Sequence, residues 1–381
     1  MSGQLFLPFG TNQRNMQKLM HTLFAFMQKS CKKSELYYFT VMAIKGLFIH
    51  LQDQVKINLL PERLICDLVS EFLAAINETG KENESKKIHA ALGDVIVLFS
   101  EKLHDEEEIT TIFNGVVNYV LHEPVSADLC FAVQSIANIF SKSHKQRCEM
   151  AQILEKMMSF FDNDALRRPA TQVIGEIVAY EDEPAVTKLL NEFDLLERIY
   201  TILCSHENVL DHCYWILYNI SVTSDDHTKL ICFHEKLFPK ILEHFRTLEE
   251  GKPLMSIIYL IHCAIHRISG ESDSSLFLET LIAQKVPVTL CKWLYSEKQG
   301  STCLDCLDVM LNKAEKLVNG DTVVFNPVAI QIAECNGIEK LHKFVESASV
   351  QNGKRVTKLL SKHFGEQFAA SRRVWTTKKA V

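Results

Sequence analysis

Glycine and proline are scarce in this sequence. Only 14 glycines and 9 prolines occur in 381 residues, roughly 4% and 2% against ordinary usage of about 7% and 5%. That excludes collagen, and with 47% hydrophobic and 23% charged residues it excludes a disordered chain. It also disfavours a β-sandwich, which consumes turn residues between its strands. A basic excess is lacking too: 41 Lys and Arg stand against 47 Asp and Glu, a net charge of −6. Nothing therefore draws the chain to nucleic acid, whose recognition begins with a Lys/Arg-rich face. Long apolar runs are missing. Ile257–Ile261 is followed at once by His262 and then His266, far short of the roughly 20 residues of a membrane span. Met1–Gly10 has no basic stretch and contains Pro8 and Gly10, so no signal peptide is read there.

Enzyme chemistry is also missing from the sequence: there is no phosphate loop, no nucleophile elbow and no His-Glu-x-x-His. The chain is expected to be neither an enzyme nor a cofactor binder. Its 12 cysteines run from Cys31 to Cys335, mostly inside apolar stretches, and read as reduced thiols packed as small hydrophobes. Cys303 and Cys306 form a lone Cys-x-x-Cys without a second pair, read as two helix cysteines. His262 and His266 lie one turn apart but have no third ligand beside them in the sequence, so no metal is expected.

What the chain does have is apolar residues at three- and four-residue spacing nearly throughout. Ile153, Met157 and Phe160 are one series; Leu189, Phe193, Leu196 and Ile199 are another. No alternating strand stands out. Short polar breaks at Thr79–Lys86, Asp162–Asp164, Glu249–Pro253, Gly270–Ser275 and Asn319–Pro327 separate the helical stretches. The length alone allows two or three compact domains or one continuous array.

A recurring segment decides for the array. Cys213–Ile220, Ala170–Ile177 and Ile257–Ala264 share one form, and Cys130–Val133 and His89–Leu92 continue it. Each carries an anchor followed four residues later by a position on the same helix face. The anchors are Met42, Ala90, Phe131, Gln172, Trp215 and Tyr259, spaced 48, 41, 41, 43 and 44 apart. A further unit begins at about Leu304, and a helix at Lys354–Phe364 closes the series. This period lies in or close to the HEAT/armadillo window of about 40–47 residues. The predicted fold is an all-α armadillo-repeat, right-handed superhelical solenoid of about eight repeats. Its units stack because none can bury its own apolar face. We assign 1–30 to a lead segment, 31–366 to the solenoid and 367–381 to a tail.

Three stretches carry a family resemblance. Cys213–Ser221 (CYWILYNIS) resembles the third helix of an armadillo repeat with its Trp-x-x-x-Asn pair. Arg167–Glu183 is similar to the importin-α repeat that has Arg at the anchor. Ile332–Phe344 and Lys358–Glu366 resemble the last importin-α repeat. The resemblance spans roughly residues 30–366 and identifies a divergent importin-α-like protein. It sets Gln172 in the family's sixth repeat and starts the chain near the third. Met1–Lys32 lacks the Arg/Lys density through which importin-α binds importin-β.

The family's groove Trp residues form slots for the aliphatic stems of cargo Lys and Arg, and its Asn residues hydrogen-bond the cargo backbone. Trp and Asn suit those tasks, since an indole face accepts a cation or its stem and an amide both donates and accepts. The resemblance implies that Trp215 and Asn219, Tyr259, Gln172 and Glu176 form a minor cargo site. Tyr259 replaces Trp there, Cys263 replaces Asn, and Glu176 replaces Asn. At the major site the pair positions fall on Met42/Gly46 and Ala90/Asp94, with Phe131/Ser135 in the next repeat. The implied function is binding of extended basic nuclear localisation signals in support of protein import, with the chain in cytoplasm and nucleus. The implied partners are basic signal-bearing cargo, with importin-β or the importin-α export receptor open despite the missing basic segment. The alternative is a repurposed armadillo scaffold for protein–protein interaction whose signal groove has decayed.

Overall fold

The computed structural model describes residues 13–29, 35–54, 71, 91–98, 100, 106–123, 125, 129–140, 151–179, 183–205, 209–318, 326–347 and 349–365. Among them every regular element is a helix and no strand occurs. No described helix is long and apolar enough to cross a membrane. The chain divides into two compact units, Met1–Tyr180 and Glu181–Val381.

The first unit holds α1 (Gln13–Lys29), α2 (Glu35–Gln54), α3 (Glu106–His122), α4 (Cys130–Phe140), α5 (Ala151–Ser159) and α6 (Asp164–Ala179). Residues 91–98 are also helical. Helix α1 packs on α2, α3 on α4, and α4 on α6. The expected break at Asp162–Asp164 is a turn closed by Asn163, whose Oδ1 accepts from the amides of Ala165 and Leu166 at 3.1 and 3.3 Å. Asn caps a helix well because its side chain satisfies donors that have no partner in the first turn. The expected break at Thr79–Lys86, the anchor Ala90 and the tail 367–381 lie outside the described residues.

The second unit is a run of helix triplets. The first triplet is α7 (Glu183–Asn191), α8 (Leu195–Ser205) and α9 (Leu210–Thr223). The second is α10 (Asp225–Cys232), α11 (Leu237–Thr247) and α12 (Lys252–Arg267). The third is α13 (Glu271–Ala283), α14 (Val286–Lys292) and α15 (Gly300–Val318), and the fourth is α16 (Pro327–Glu334), α17 (Gly337–Ser347) and α18 (Val350–His363). Third helices pack consecutively, α9 on α12, α12 on α15, and α15 on α18; second helices do the same from α8 to α17. Each triplet thus buries its apolar face on its neighbours. Ile216, Leu217 and Ile220 of α9, and Ile257, Ile258 and Ile261 of α12, are fully buried.

Local chemistry sets the corners. Three of the four turns between first and second helices carry a left-handed residue: Asp194, Lys285 and Asn336, at φ 50°, 56° and 57°. Asp and Asn accept that conformation more readily than most L-residues. Ser224 caps α10 by accepting from the His227 amide at 3.1 Å. Asn326 caps α16 ahead of Pro327, accepting from Val328 and Ala329 at 3.0 and 3.2 Å. The expected break at Gly270–Ser275 contracts to its first residue. Gly270 turns at φ 92° and α13 begins at Glu271. Its polar opening is a helix start, where Glu271 and Asp273 face the positive end of the helix dipole.

Candidate functional site

Helix α9 presents Trp215 and Asn219 one turn apart, both half-buried, between the fully buried Ile216, Leu217 and Ile220. The Asn219 Nδ2 is itself buried and donates to no acceptor. An unpaired buried donor costs about 1–3 kcal/mol. Next to it Tyr218 packs on Tyr259 of α12, with ring centroids 5.6 Å apart and tilted by 39°. Cys263, at the position the family gives to Asn, turns inward and donates its thiol to the Ser221 carbonyl at 3.2 Å. Burial raises its pKa.

The next rung is polar. His262 Nε2 and His266 Nε2, both on α12, lie 2.8 and 2.9 Å from Oδ2 of Asp305 on α15. Arg355 of α18 donates to Oδ1 of the same carboxylate and lies 3.6 Å from Asp308. Burial pushes the Asp305 carboxyl up, but the bonds from Arg355, His266 and His262 outweigh it and hold the group at about 2. Asp305 in turn raises the Arg355 pKa. Sequence reasoning noted the two histidines and missed the aspartate and the arginine. Their partners lie 43 and 50 residues apart along the chain, and only the packing of third helices brings them together.

These contacts follow one rule. The residue three beyond an anchor meets the anchor of the next repeat: Tyr218 meets Tyr259, and His262 meets Asp305. In the first unit Gln134, three beyond Phe131, donates to Gln172 at 3.1 Å. The rule moves the anchor expected at about Leu304 to Asp305. Leu304 is fully buried in the core, and one residue along a helix turns the face by about 100°.

The first unit gives its expected positions different fates. Gln172 belongs to a polar ladder in which Gln134 also reaches Asn138 at 3.2 Å and Asn138 reaches Ser100 at 3.1 Å. Glu176 is half-exposed one turn beyond Gln172. Phe131 is half-buried against Tyr119, centroids 5.7 Å apart, and covers Gly93, where an added Cβ would fall 2.7 Å from its ring. Ser135 is fully buried and donates its hydroxyl to the Phe131 carbonyl at 2.8 Å. Asp94 is paired with Lys45. Met42 and Gly46 are exposed on α2.

No family model matches the sequence, and no curated protein matches it. Solved structures do. One engineered protein superposes with a TM-score of 0.57 over 93% of this chain and 86% of its own, at 14% identity. A second engineered protein gives a TM-score of 0.50 over 65% and 95%, at 14% identity. A designed armadillo repeat protein in complex with the peptide (KR)4 covers 65% of this chain and 99% of its own at 15% identity, with a TM-score of 0.49, a superposition too loose for its peptide to be transferred. At such identities the similarity is one of fold. With consecutive packing of second and third helices, this chain is an all-α repeat solenoid of the armadillo type.

Proposed function

We propose that the second unit binds an extended peptide along α9 and α12, centred on Trp215 and Asn219. The observation that carries this is the buried Asn219 amide, unpaired one turn from a half-buried indole. An amide donor suits a peptide carbonyl, and the indole suits the stem of a Lys or Arg. The resemblance of Cys213–Ser221 to an importin-α third helix supports basic nuclear localisation signals as the peptide. On that reading the chain is a non-enzymatic adaptor supporting the import of basic cargo into the nucleus. Binding is measured by fluorescence anisotropy with labelled monopartite and bipartite signal peptides at low salt. Trp215→Ala weakens it about tenfold or more, the usual cost of truncating a central aromatic anchor. Absence of binding by the unaltered chain at low salt removes the proposal.

A second reading is favoured by a specific pattern: several would-be cargo contacts are already met from within the chain. Asp94 is met by Lys45, Gln172 by Gln134 and Tyr259 by Tyr218. On this reading the chain is an armadillo scaffold whose partner is a protein other than basic cargo. Pull-downs with importin-β and the importin-α export receptor separate the two: recovery of either supports the adaptor, and loss of both with no signal-peptide binding supports the scaffold.

A further inference from the structure

We propose that His262, His266 and Asp305 form a binding site for a divalent transition metal ion, with zinc as the fitting probe. The two histidines sit at i and i+4 on α12, so their imidazoles leave the same face; ring centroids are 4.6 Å apart. Both Nε2 atoms converge on Oδ2 of Asp305 at 2.8 and 2.9 Å, and the three donor atoms lie within 4.8 Å of one another. A tetrahedral zinc with bonds of about 2.1 Å sets its ligands about 3.4 Å apart. The two His–Asp305 pairs therefore need to open by roughly half an ångström, and the two imidazole nitrogens, which lie within 4.8 Å of each other, to close by up to about 1.4 Å, both within the reach of side-chain torsions.

The donor set selects the ion. Two imidazoles and one carboxylate suit zinc, cobalt, nickel or copper, whereas calcium and magnesium ask for oxygen ligands. The side chains of His262, His266 and Asp305 keep 35%, 44% and 25% of their exposure. An ion can therefore enter from solvent, and water can complete its coordination. The charge balance also suits a cation: Asp305 and Asp308 carry two negative charges and Arg355 returns one positive, a net −1. Arg355 on the far oxygen fixes the carboxylate, as outer-shell partners of metal ligands commonly do. The bound ion would clip α12 to α15, two third helices from successive repeats.

The test uses the full chain after chelator treatment. Zinc is titrated against a chromophoric competitor, and cobalt binding is followed by visible absorption. One equivalent is expected to bind in the micromolar range. The cobalt spectrum should lack a thiolate charge-transfer band, since no cysteine takes part. His266→Ala alters an exposed side chain and should leave far-UV circular dichroism unchanged. It should weaken binding by more than the roughly 10–100-fold typical of an outer-shell loss. Asp305→Asn keeps the shape and should weaken it comparably. Zinc should raise the Tm of the unaltered chain and not that of the His262→Ala/His266→Ala double variant. No binding in the micromolar range, affinity undiminished in the double variant, or a thiolate band each overturns the site.

Discussion

Cys335 and Cys303 show how far neighbouring helices can drive identical side chains apart. Cys335 ends α16 half-buried; its sulfur accepts a hydrogen bond from the Cys291 thiol, and that bond, against the opposing effect of burial, lowers its pKa to about 6. Cys303 is fully buried in α15, and burial pushes it up to about 12. The thiolate is the nucleophile, so the lowered Cys335 is the more reactive thiol and the buried Cys303 the less reactive one. Iodoacetamide at pH 7, read by mass spectrometry of the folded chain, should modify Cys335 well before Cys303. Cys291→Ala removes the donor and should slow Cys335. Equal rates at Cys335 and Cys303 would contradict the assignment. None of this was visible in the sequence, where the 12 cysteines read as reduced thiols. A thiol's acidity depends on what lies across from it, and Cys291 approaches Cys335 only through the packing of α14 on α16.

At the scale of the helices, the sequence was most legible where one turn talks to the next. Three- and four-residue spacing gave helices among the described residues, although the series Leu189, Phe193, Leu196 and Ile199 runs across the corner at Asp194, and Asp162–Asp164 gave a turn, because caps and apolar stripes are local. At Gly270–Ser275 a break does separate α12 from α13, but it ends at Gly270, and the polar cluster beyond it is the first turn of α13. The spacing set the next unit at about Leu304 and left open which residue faces its neighbour, because an approximate period cannot fix rotation about a helix axis. Close helix approach is a related property that sequence conceals. Gly300 opens α15, and a Cβ there would lie 2.2 Å from the Leu294 carbonyl oxygen and 3.0 Å from the Phe344 ring. Backbone cannot yield as a side chain does, so Gly300→Ala should destabilise the fold by about 1–3 kcal/mol. Gly46 in α2 has nothing within 4 Å of the same atom. There Gly46→Ala should be neutral or stabilising by up to about 1 kcal/mol, from helix propensity alone. Urea denaturation followed at 222 nm compares the two, and a neutral Gly300→Ala would refute the close-packing argument.

For the molecule as a whole, the few glycines and prolines and the 41-to-48 spacing pointed to stacked helical repeats, and stacking has an energetic consequence. Consecutive triplets of the second unit contact each other, so the stability of each is a sum of its own folding and its interfaces. An interior triplet has two such interfaces. Helix α12 lies between α9 and α15, whereas α18, among the described residues, meets only α15 of the third helices. Opening α12 therefore breaks two interfaces, while opening α18 breaks one. Native-state hydrogen exchange by mass spectrometry should show this as a gradient. Amides of α12 (Lys252–Arg267) and α15 (Gly300–Val318), each packed between two third helices, should exchange more slowly than those of α18 (Val350–His363). The ion pairs of Arg355 with Asp305 and of Lys362 with Glu315 bind α18 to α15, but partly exposed pairs contribute only about 0–1 kcal/mol each, too little to replace a missing apolar interface. Uniform protection from α9 to α18 would mean that the unit opens as one cooperative block, and the nearest-neighbour account of its stability would fall.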